Sequence, residues 1–340
     1  MTFTETILDW YGTYGRDLPW RRTRDPYAIW ISEIILQQTR IAQGKAYWER
    51  FMKRFPDVES LAAAEEDEVL RLWEGLGYYS RARNLHAAAR QIVALGAFPA
   101  SLAGIKSLKG IGDYTAAAIA SIAFGIPAAV VDGNVYRVLS RYFGIFTPVG
   151  TTTAKKEFTA LAQSLLPADR PGDFNQAMMD FGAIQCTPQS PACLTCPLGV
   201  SCKALHEGWT ETLPVRKAGP EIQDRYFIYI YLRCGGQTAI RRREAGDIWQ
   251  GLWEPFLLEH DGSAPDLPAW TEGGSLRLFK SGVRHQLTHR TLHTDFYLYE
   301  SDTPPDLPAS FRWIPESDLD RYGKPRLFEL LLSEIDRQNQ

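Results

Sequence analysis

The stretch Leu108-Lys109-Gly110-Ile111-Gly112-Asp113-Tyr114-Thr115, running into the Ala-rich Ala116–Ala123, decides how the first half of this chain is read. Two glycines two apart, just before a run of helix formers, let the backbone come close to a ligand. The unpaired N–H groups of the new helix then face that ligand. A DNA phosphate suits such a site, and a contact of this kind positions the protein without reading base sequence. This is the helix-hairpin-helix pattern, with Gly110, Gly112 and Thr115 as candidate DNA-contacting positions. An ordinary corner between two helices is the plain alternative.

Outward from this stretch the pattern stays helical, from Thr2 to about Leu205. Tyr27–Arg40, Leu61–Trp73, Arg81–Leu95 and Tyr114–Phe124 place apolar residues at helical spacing, and Gly and Pro punctuate the gaps between them. No alternating strand of useful length is found in this half, which reads as all-α. His206–Asp224 is polar and contains Pro, a linker. Beyond it Arg225–Cys234 (RYFIYIYLRC) is β-branched and aromatic, and Gly235-Gly236 makes a hairpin-like turn into Thr238–Arg243. Leu276–Phe279 and Thr294–Tyr299 also read as strands, and Lys324–Arg337 as a helix. The expected fold is therefore multidomain: an all-α domain over 1–205, a linker over 206–224, and a smaller α+β domain over 225–340.

Composition agrees with two globular domains, since 340 residues at about 150 per domain give roughly two. Apolar residues at 45% and charged ones at 23% exclude a disordered chain or a fibre. No apolar run reaches membrane-spanning length, and Met1–Asp9 lacks the features of a secretory signal. The protein is expected to be soluble, intracellular and free of membrane. The net charge of −3 divides into +2 over 1–217 and −5 over 218–340. DNA binding must then rest on local geometry rather than a large positive field. Four of the five cysteines, Cys186, Cys193, Cys196 and Cys202, fall in one short window. Their tight C-x2-C centre suits a tetrahedral zinc or a [4Fe–4S] cluster, and spacing alone does not choose between them.

Two carboxylates stand out. Glu33 is a charge inside the apolar helical run Trp30–Leu36, and partial burial there would raise its pKa as a general acid at neutral pH requires. A surface glutamate is the plain alternative, against which the paired Gln37 and Gln38 argue. Asp132, between the apolar Val130-Val131 and Gly133-Asn134, reads as a helix N-cap, a role compatible with catalysis because capping only fixes where the carboxylate points.

Taken together, these motifs resemble the helix-hairpin-helix DNA glycosylase superfamily that includes endonuclease III, and within it the MutY family of adenine DNA glycosylases. The resemblance rests on LPWR (Leu18–Arg21), SEIILQQT (Ser32–Thr39), GLGYYSRARNLH (Gly75–His86), GIGDYTAAAI (Gly110–Ile119), VDGNVYRVL (Val131–Leu139), FNQAMMDFGA (Phe174–Ala183) and the cysteine set. It implies a base-flipping enzyme of base excision repair that removes adenine mispaired with 8-oxoguanine or guanine in double-stranded DNA. It also implies a [4Fe–4S] cluster on the four cysteines and a monomer in the cytoplasm, at the nucleoid if the source is bacterial. By this resemblance Glu33 protonates adenine N7, and Asp132 stabilises or attacks the oxocarbenium-like sugar. These are opposed pKa demands on two carboxylates. Tyr114 and Asn134 assist at the sugar and orient the catalytic groups. Trp20, Arg21, Leu36 and Gln176 line the adenine pocket, while Gln38 and Tyr78 wedge into the duplex. Bifunctional relatives carry a Schiff-base Lys where this chain has Tyr114, so a monofunctional glycosylase is expected.

The second domain, from Ala239–Arg243 through Gly251–Phe256, is similar to the MutT-like (Nudix-fold) domain of the same family. The metal-binding core of a true Nudix hydrolase is missing, for Gly251–Phe279 holds only Glu254, Glu259, Asp261, Asp266 and Glu272. A lesion-recognition module is expected instead. The family's Phe-Ser-His loop corresponds to Leu287-Thr288-His289, with Thr288 and His289 as lesion readers and Leu287 in place of an aromatic. His285, His289 and His293 share helical spacing but precede a strand, and Cys234 reads as a packed core thiol. The rival readings are a thymine-mismatch or oxidised-pyrimidine glycosylase, a non-catalytic lesion-binding protein and a nucleotide-pool hydrolase.

Overall fold

The computed structural model describes residues 1–217, 219, 222–263 and 265–338. Of the expected linker 206–224, residues 218, 220 and 221 lie outside the described residues, as do 264, 339 and 340 of the second domain. The helices are α1 (Phe3–Tyr14), α2 (Pro26–Leu36), α3 (Ile41–Arg54), α4 (Val58–Ala63), α5 (Glu66–Leu72), α6 (Ser80–Leu95), α7 (Leu102–Lys106), α8 (Asp113–Phe124), α9 (Gly133–Phe143), α10 (Thr152–Leu165), α11 (Pro171–Asp180), α12 (Lys203–His206) and α13 (Arg326–Gln338). The strands are β1 (Gln223–Cys234), β2 (Gln237–Arg242), β3 (Trp253–Glu254), β4 (Phe256–His260), β5 (Ser275–Gln286), β6 (Arg290–Ser301) and β7 (Phe311–Pro315).

The chain divides into two compact units, one of residues 1–63 with 87–218 and the other of 64–86 with 219–340. Residues 64–86 group with the strand-rich part, a division that sequence order does not show.

Over residues 1–205 the helical reading holds with two adjustments. The periodic run Tyr27–Arg40 stops at Leu36, because Gln38 adopts a left-handed backbone (φ 59°). Leu61–Trp73 is broken between α4 and α5. Helix α2 buries every residue from Tyr27 to Ile35, so it is enclosed on all sides rather than amphipathic. Helix α8 is buried from Thr115 to Ile122, and its alanines let α2 and α11 pack closely on it. The hairpin before α8 turns at Gly110 (φ 76°), a conformation that favours glycine. Trp10, Leu139, Phe158, Phe174 and Phe181 centre a core between α1, α9, α10 and α11.

In the second unit a seven-stranded mixed sheet runs β3-β2-β1-β6-β5, with β4 on β1 and β7 on β2. β1 and β6 are parallel, and the other pairs are antiparallel. β1 is buried continuously from Phe227 to Leu232, as its unbroken apolar run requires of a strand covered on both faces. Phe227, Tyr229 and Tyr231 share a core with Leu327, Phe328 and Leu331 of α13; Ile228, Ile230 and Leu232 fill the opposite face. β5 and β6 extend well past the short strands expected from sequence, and β3, β4 and β7 carried too little pattern to be found. Residues 64–86 join this unit through Arg242–Glu66 (2.7 Å), the Lys324 N–H on Glu74 (2.8 Å) and Trp253 Nε1 on Asp67 (3.4 Å).

In the first unit, α11 runs into a π-helical turn, Phe181–Gln185, and this turn crosses α9 closely at Gly182. A Cβ there would sit 2.6 Å from Asn134 Cβ and 2.9 Å from its carbonyl oxygen. Gly182→Ala is therefore expected to destabilise the protein by about 1–3 kcal/mol, as overpacked sites do. Thermal unfolding checks this, and an unchanged melting temperature would show that α9 yields freely.

Candidate functional site

Glu33 lies on the last full turn of α2, where its neighbours on the helix are apolar apart from Ser32. Its side chain is nearly enclosed (8% exposed), and burial raises its pKa from the ordinary 4.5 to about 7. A hydrogen bond from Tyr114 and the field of Arg21 oppose the rise, and Asp132 adds to it. Tyr114, on the first turn of α8, is kept protonated by its own burial and by the fields of Glu33 and Asp132. Its hydroxyl also lies 3.4 Å from Met179 Sδ.

Asp132 is the N-cap of α9, as its sequence context suggests. Its Oδ1 accepts from the backbone N–H groups of Asn134 (2.9 Å) and Val135 (2.8 Å), while Oδ2 accepts from Asn134 Nδ2 (2.7 Å). Burial raises its pKa too, and these bonds together with Arg137 pull it back. The two carboxylates thus do not move in opposite directions; they differ in their counterweights. Glu33 has one hydrogen-bond donor, whereas Asp132 has a helix N-terminus and an amide. Asn134 is itself held by Arg137, whose Nη2 donates to Asn134 Oδ1 (2.8 Å) and to the Gly182 carbonyl (2.6 Å). Arg137 Nε reaches the carbonyl of Cys186 at 2.7 Å.

Of the expected pocket residues, Arg21 and Gln176 are linked through Tyr11. Arg21, on the 3-10 turn Pro19–Arg21, grips the wholly buried Asp180 with two bonds of 2.6 and 2.7 Å. Arg16 binds the same carboxylate through its backbone N–H (2.9 Å) and Nε (2.8 Å). Burial pushes the Asp180 carboxyl up, but these arginines outweigh it and hold it below the usual range. Trp20 is buried edge-on to Trp48, and Leu36 presses against Gly44 of α3. Gln176, 7% exposed, accepts a hydrogen bond from Tyr11. Asp180, Arg16, Tyr11 and Arg137 are absent from the sequence-based site. A charge inside the apolar end of FNQAMMDFGA was the one visible signal for Asp180; its partners are 159 and 164 positions away.

Of the hairpin positions, Gly110 and Gly112 are exposed, but Thr115 is not. Thr115 packs inward, and its hydroxyl accepts from Gln37 Nε2 at 3.2 Å, which ties the end of α2 to α8. Its side chain is therefore part of the scaffold under the hairpin. Gln38 is exposed and left-handed. In the second unit Tyr78 is likewise exposed and left-handed (φ 49°), following the left-handed Gly75 and Gly77. Arg81 braces this loop through the carbonyls of Leu76 and Gly77, both at 3.2 Å. Strained non-glycine backbone of this kind persists where the surroundings enforce it.

The Tyr78 hydroxyl hydrogen-bonds that of Thr288, so two positions 210 residues apart meet. Thr288 and His289 are exposed at the β5–β6 turn, and Leu287 packs against the core beneath. His293 pairs with Asp224 (2.9 Å) and stacks on Tyr226; Cys234 is buried. Glu254 takes Arg243 (2.6 Å), Arg241 (3.0 Å) and Tyr229 (3.0 Å), and Glu259 takes Arg225 (2.7 Å). These acids are committed to ion pairs within the sheet.

Cys186, Cys193, Cys196 and Cys202 are all free thiols. Burial raises the pKa of Cys193, Cys196 and Cys202, and neighbouring thiols of the set add to it. Arg141 Nη1 lies 3.4 Å from Cys186 Sγ. Among the described residues no group of three or more His, Cys, Asp or Glu is arranged for a single metal ion, and no helix is long and apolar enough to cross a membrane.

Residues 31–167 match the model of the HhH-GPD superfamily of base excision DNA repair proteins, and residues 228–334 match the NUDIX domain. The adenine DNA glycosylase of Buchnera aphidicola subsp. Baizongia pistaciae is 33% identical over 305 residues, covering 88% of this chain and 85% of that protein. The human adenine DNA glycosylase is 46% identical over 213 residues, which is 59% of this chain and 39% of the human one. A thermostable thymine-DNA glycosylase structure superposes with a TM-score of 0.55 and 34% identity, over 60% of this chain and 95% of that one. With a relative this similar along nearly its whole length, the chain belongs to the adenine DNA glycosylase family and is a DNA N-glycosylase.

Proposed function

We propose that this enzyme flips adenine out of a duplex in which it faces 8-oxoguanine or guanine, and hydrolyses its N-glycosidic bond without cutting the strand. The observation that carries this reading is Glu33, a carboxylic acid with a pKa of about 7 in an apolar helix, beside Tyr114 and Asp132. Half of such an acid is protonated at neutral pH, so it can give a proton to adenine N7 and turn the base into a neutral leaving group. Asp132, oriented by three hydrogen bonds at the start of α9, is the carboxylate that meets the positive charge developing on the sugar. Asn134 and, behind it, Arg137 keep that carboxylate aimed. Tyr114 lends a hydrogen bond to Glu33 and offers no amine, which supports a monofunctional enzyme. Arg21 and Gln176 supply polar contacts to the base, with Trp20 and Leu36 as apolar walls.

Four cysteine thiols with Arg141 alongside fit an anionic, sulfur-ligated [4Fe–4S] cluster, and Cys186, Cys193, Cys196 and Cys202 would hold it. Bound there, the cluster would brace the loop whose Cys186 carbonyl Arg137 grips. On the DNA side, Gly110 and Gly112 would take a phosphate at the start of α8, and Gln38 and Tyr78 would fill the gap left by the flipped base. Thr288 and His289, exposed on their turn, would read the opposite 8-oxoguanine. The ion-paired acids of the second unit support recognition rather than nucleotide hydrolysis.

Single-turnover excision on duplexes carrying A opposite 8-oxoguanine, A opposite G, or T opposite G tests this directly. The first two should be processed and should need alkali for strand scission. Glu33→Gln should slow excision by at least about a hundredfold, the range of lost general acid catalysis. Activity confined to the T:G duplex, or rapid scission without alkali, would refute it.

The rate should also fall as pH rises through about 7, where Glu33 loses its proton. A profile flat from pH 6 to 9 would mean that Glu33 is not the acid.

Between about 4.5 and about 7 the folded protein holds a proton that the unfolded chain releases, so stability falls as pH rises across this window. Glu33→Gln should therefore raise stability at pH 8 by about 2–3 kcal/mol and leave it little changed below pH 4.5. Urea unfolding at the two pH values measures the difference.

A further inference from the structure

The polarity of the base pocket depends on which end of the Gln176 carboxamide faces it. An amide side chain carries a donor and an acceptor of nearly equal size, so a freely turning one offers either end. Here Tyr11 Oη donates to Gln176 Oε1 at 3.2 Å. Tyr11 has no second hydrogen-bond partner among the described residues. Were the amide reversed, the tyrosine O–H would be left without an acceptor in a half-buried site, which costs more than an unused lone pair. Burial also raises the pKa of Tyr11, so its phenol remains a donor across the working pH range. The ring is held in turn: the Arg21 guanidinium lies over it, 5.7 Å from its centroid, and Asp180 clamps Arg21. Gln176 Nε2 is left with no protein partner among the described residues.

We propose that Tyr11 is a specificity-positioning residue that locks the Gln176 amide in one orientation, and that this fixed polarity makes the pocket select adenine against 6-oxopurines. The inference rests on the reading that Gln176 lines the base pocket. Adenine and hypoxanthine have nearly the same shape but opposite hydrogen-bonding polarity at positions 1 and 6. An amide of fixed orientation separates them; one that can turn over serves both.

The experiment compares single-turnover excision of adenine and of hypoxanthine, each opposite 8-oxoguanine, by the wild type and by Tyr11→Phe, Tyr11→His, Gln176→Ala and the double variant Tyr11→Phe/Gln176→Ala. Phe keeps the ring beneath Arg21, and melting temperatures establish that each variant is folded. The adenine-to-hypoxanthine rate ratio should shrink about five- to tenfold in Tyr11→Phe, the scale of one hydrogen bond. It should stay near the wild-type value in Tyr11→His, which can still donate. It should shrink in Gln176→Ala, and the double variant should add nothing further.

A ratio that Tyr11→Phe leaves unchanged, or that Phe and His alter equally, overturns the proposal even if both substrates are cut more slowly. A ratio untouched by Gln176→Ala shows instead that Gln176 is not in the pocket. Loss of the underlying activity reading would appear separately, as absent adenine excision by the wild type.

Discussion

The rest of the site is arranged around an ionisable carboxyl group placed inside a helix that has no exposed face. Burying Glu33 in α2 raises its pKa to about 7, and the cost of that burial is met only in part, by Tyr114 and Arg21. Every neighbouring element reflects the constraint. The alanines of α8 bring Tyr114 up to the carboxyl, Gln37 ties α2 to α8 through Thr115, and Asp180 holds Arg21 in place. Asp132 shares the burial but has a helix N-terminus to accept bonds from, so the same low-dielectric setting raises both pKa values against different counterweights.

A second principle is that charges in this protein are seldom left alone. Asp180 is gripped by Arg16 and Arg21, Glu254 by Arg241 and Arg243, and Arg137 by three carbonyls and an amide. Removing one partner of such a buried set typically costs about 3–5 kcal/mol, because the other is stranded. These groups therefore serve as fixed struts. In the first unit the struts end at Arg21 and at Asn134, the neighbour of Asp132. In the second they tie Glu254 and Glu259 to arginines of the sheet.

Much of the fold was legible from local pattern. The buried runs of α2 and β1, the glycine hairpin before α8 and the N-cap at Asp132 each depend on residues within a few positions of one another. Strands β3, β4 and β7 were not, being short segments that hold their place only by pairing with neighbours distant in sequence. The same limit explains Thr115, whose motif suggested a DNA contact and whose packing under α2 faces it inward.

By itself the sequence determined a helical part followed by a strand-rich part, and it singled out Glu33, Asp132, Tyr114 and the four-thiol set as candidates, since each is written as a short motif with its own local chemistry. Tertiary structure alone decided what those groups can do. A carboxyl becomes an acid at pH 7 through the dielectric around it, an amide acquires a polarity through a hydroxyl 165 positions away, and Tyr78 meets Thr288 only because residues 64–86 pack with the sheet. Desolvation and long-range hydrogen bonding are properties of assembled volume, and no window of sequence contains them.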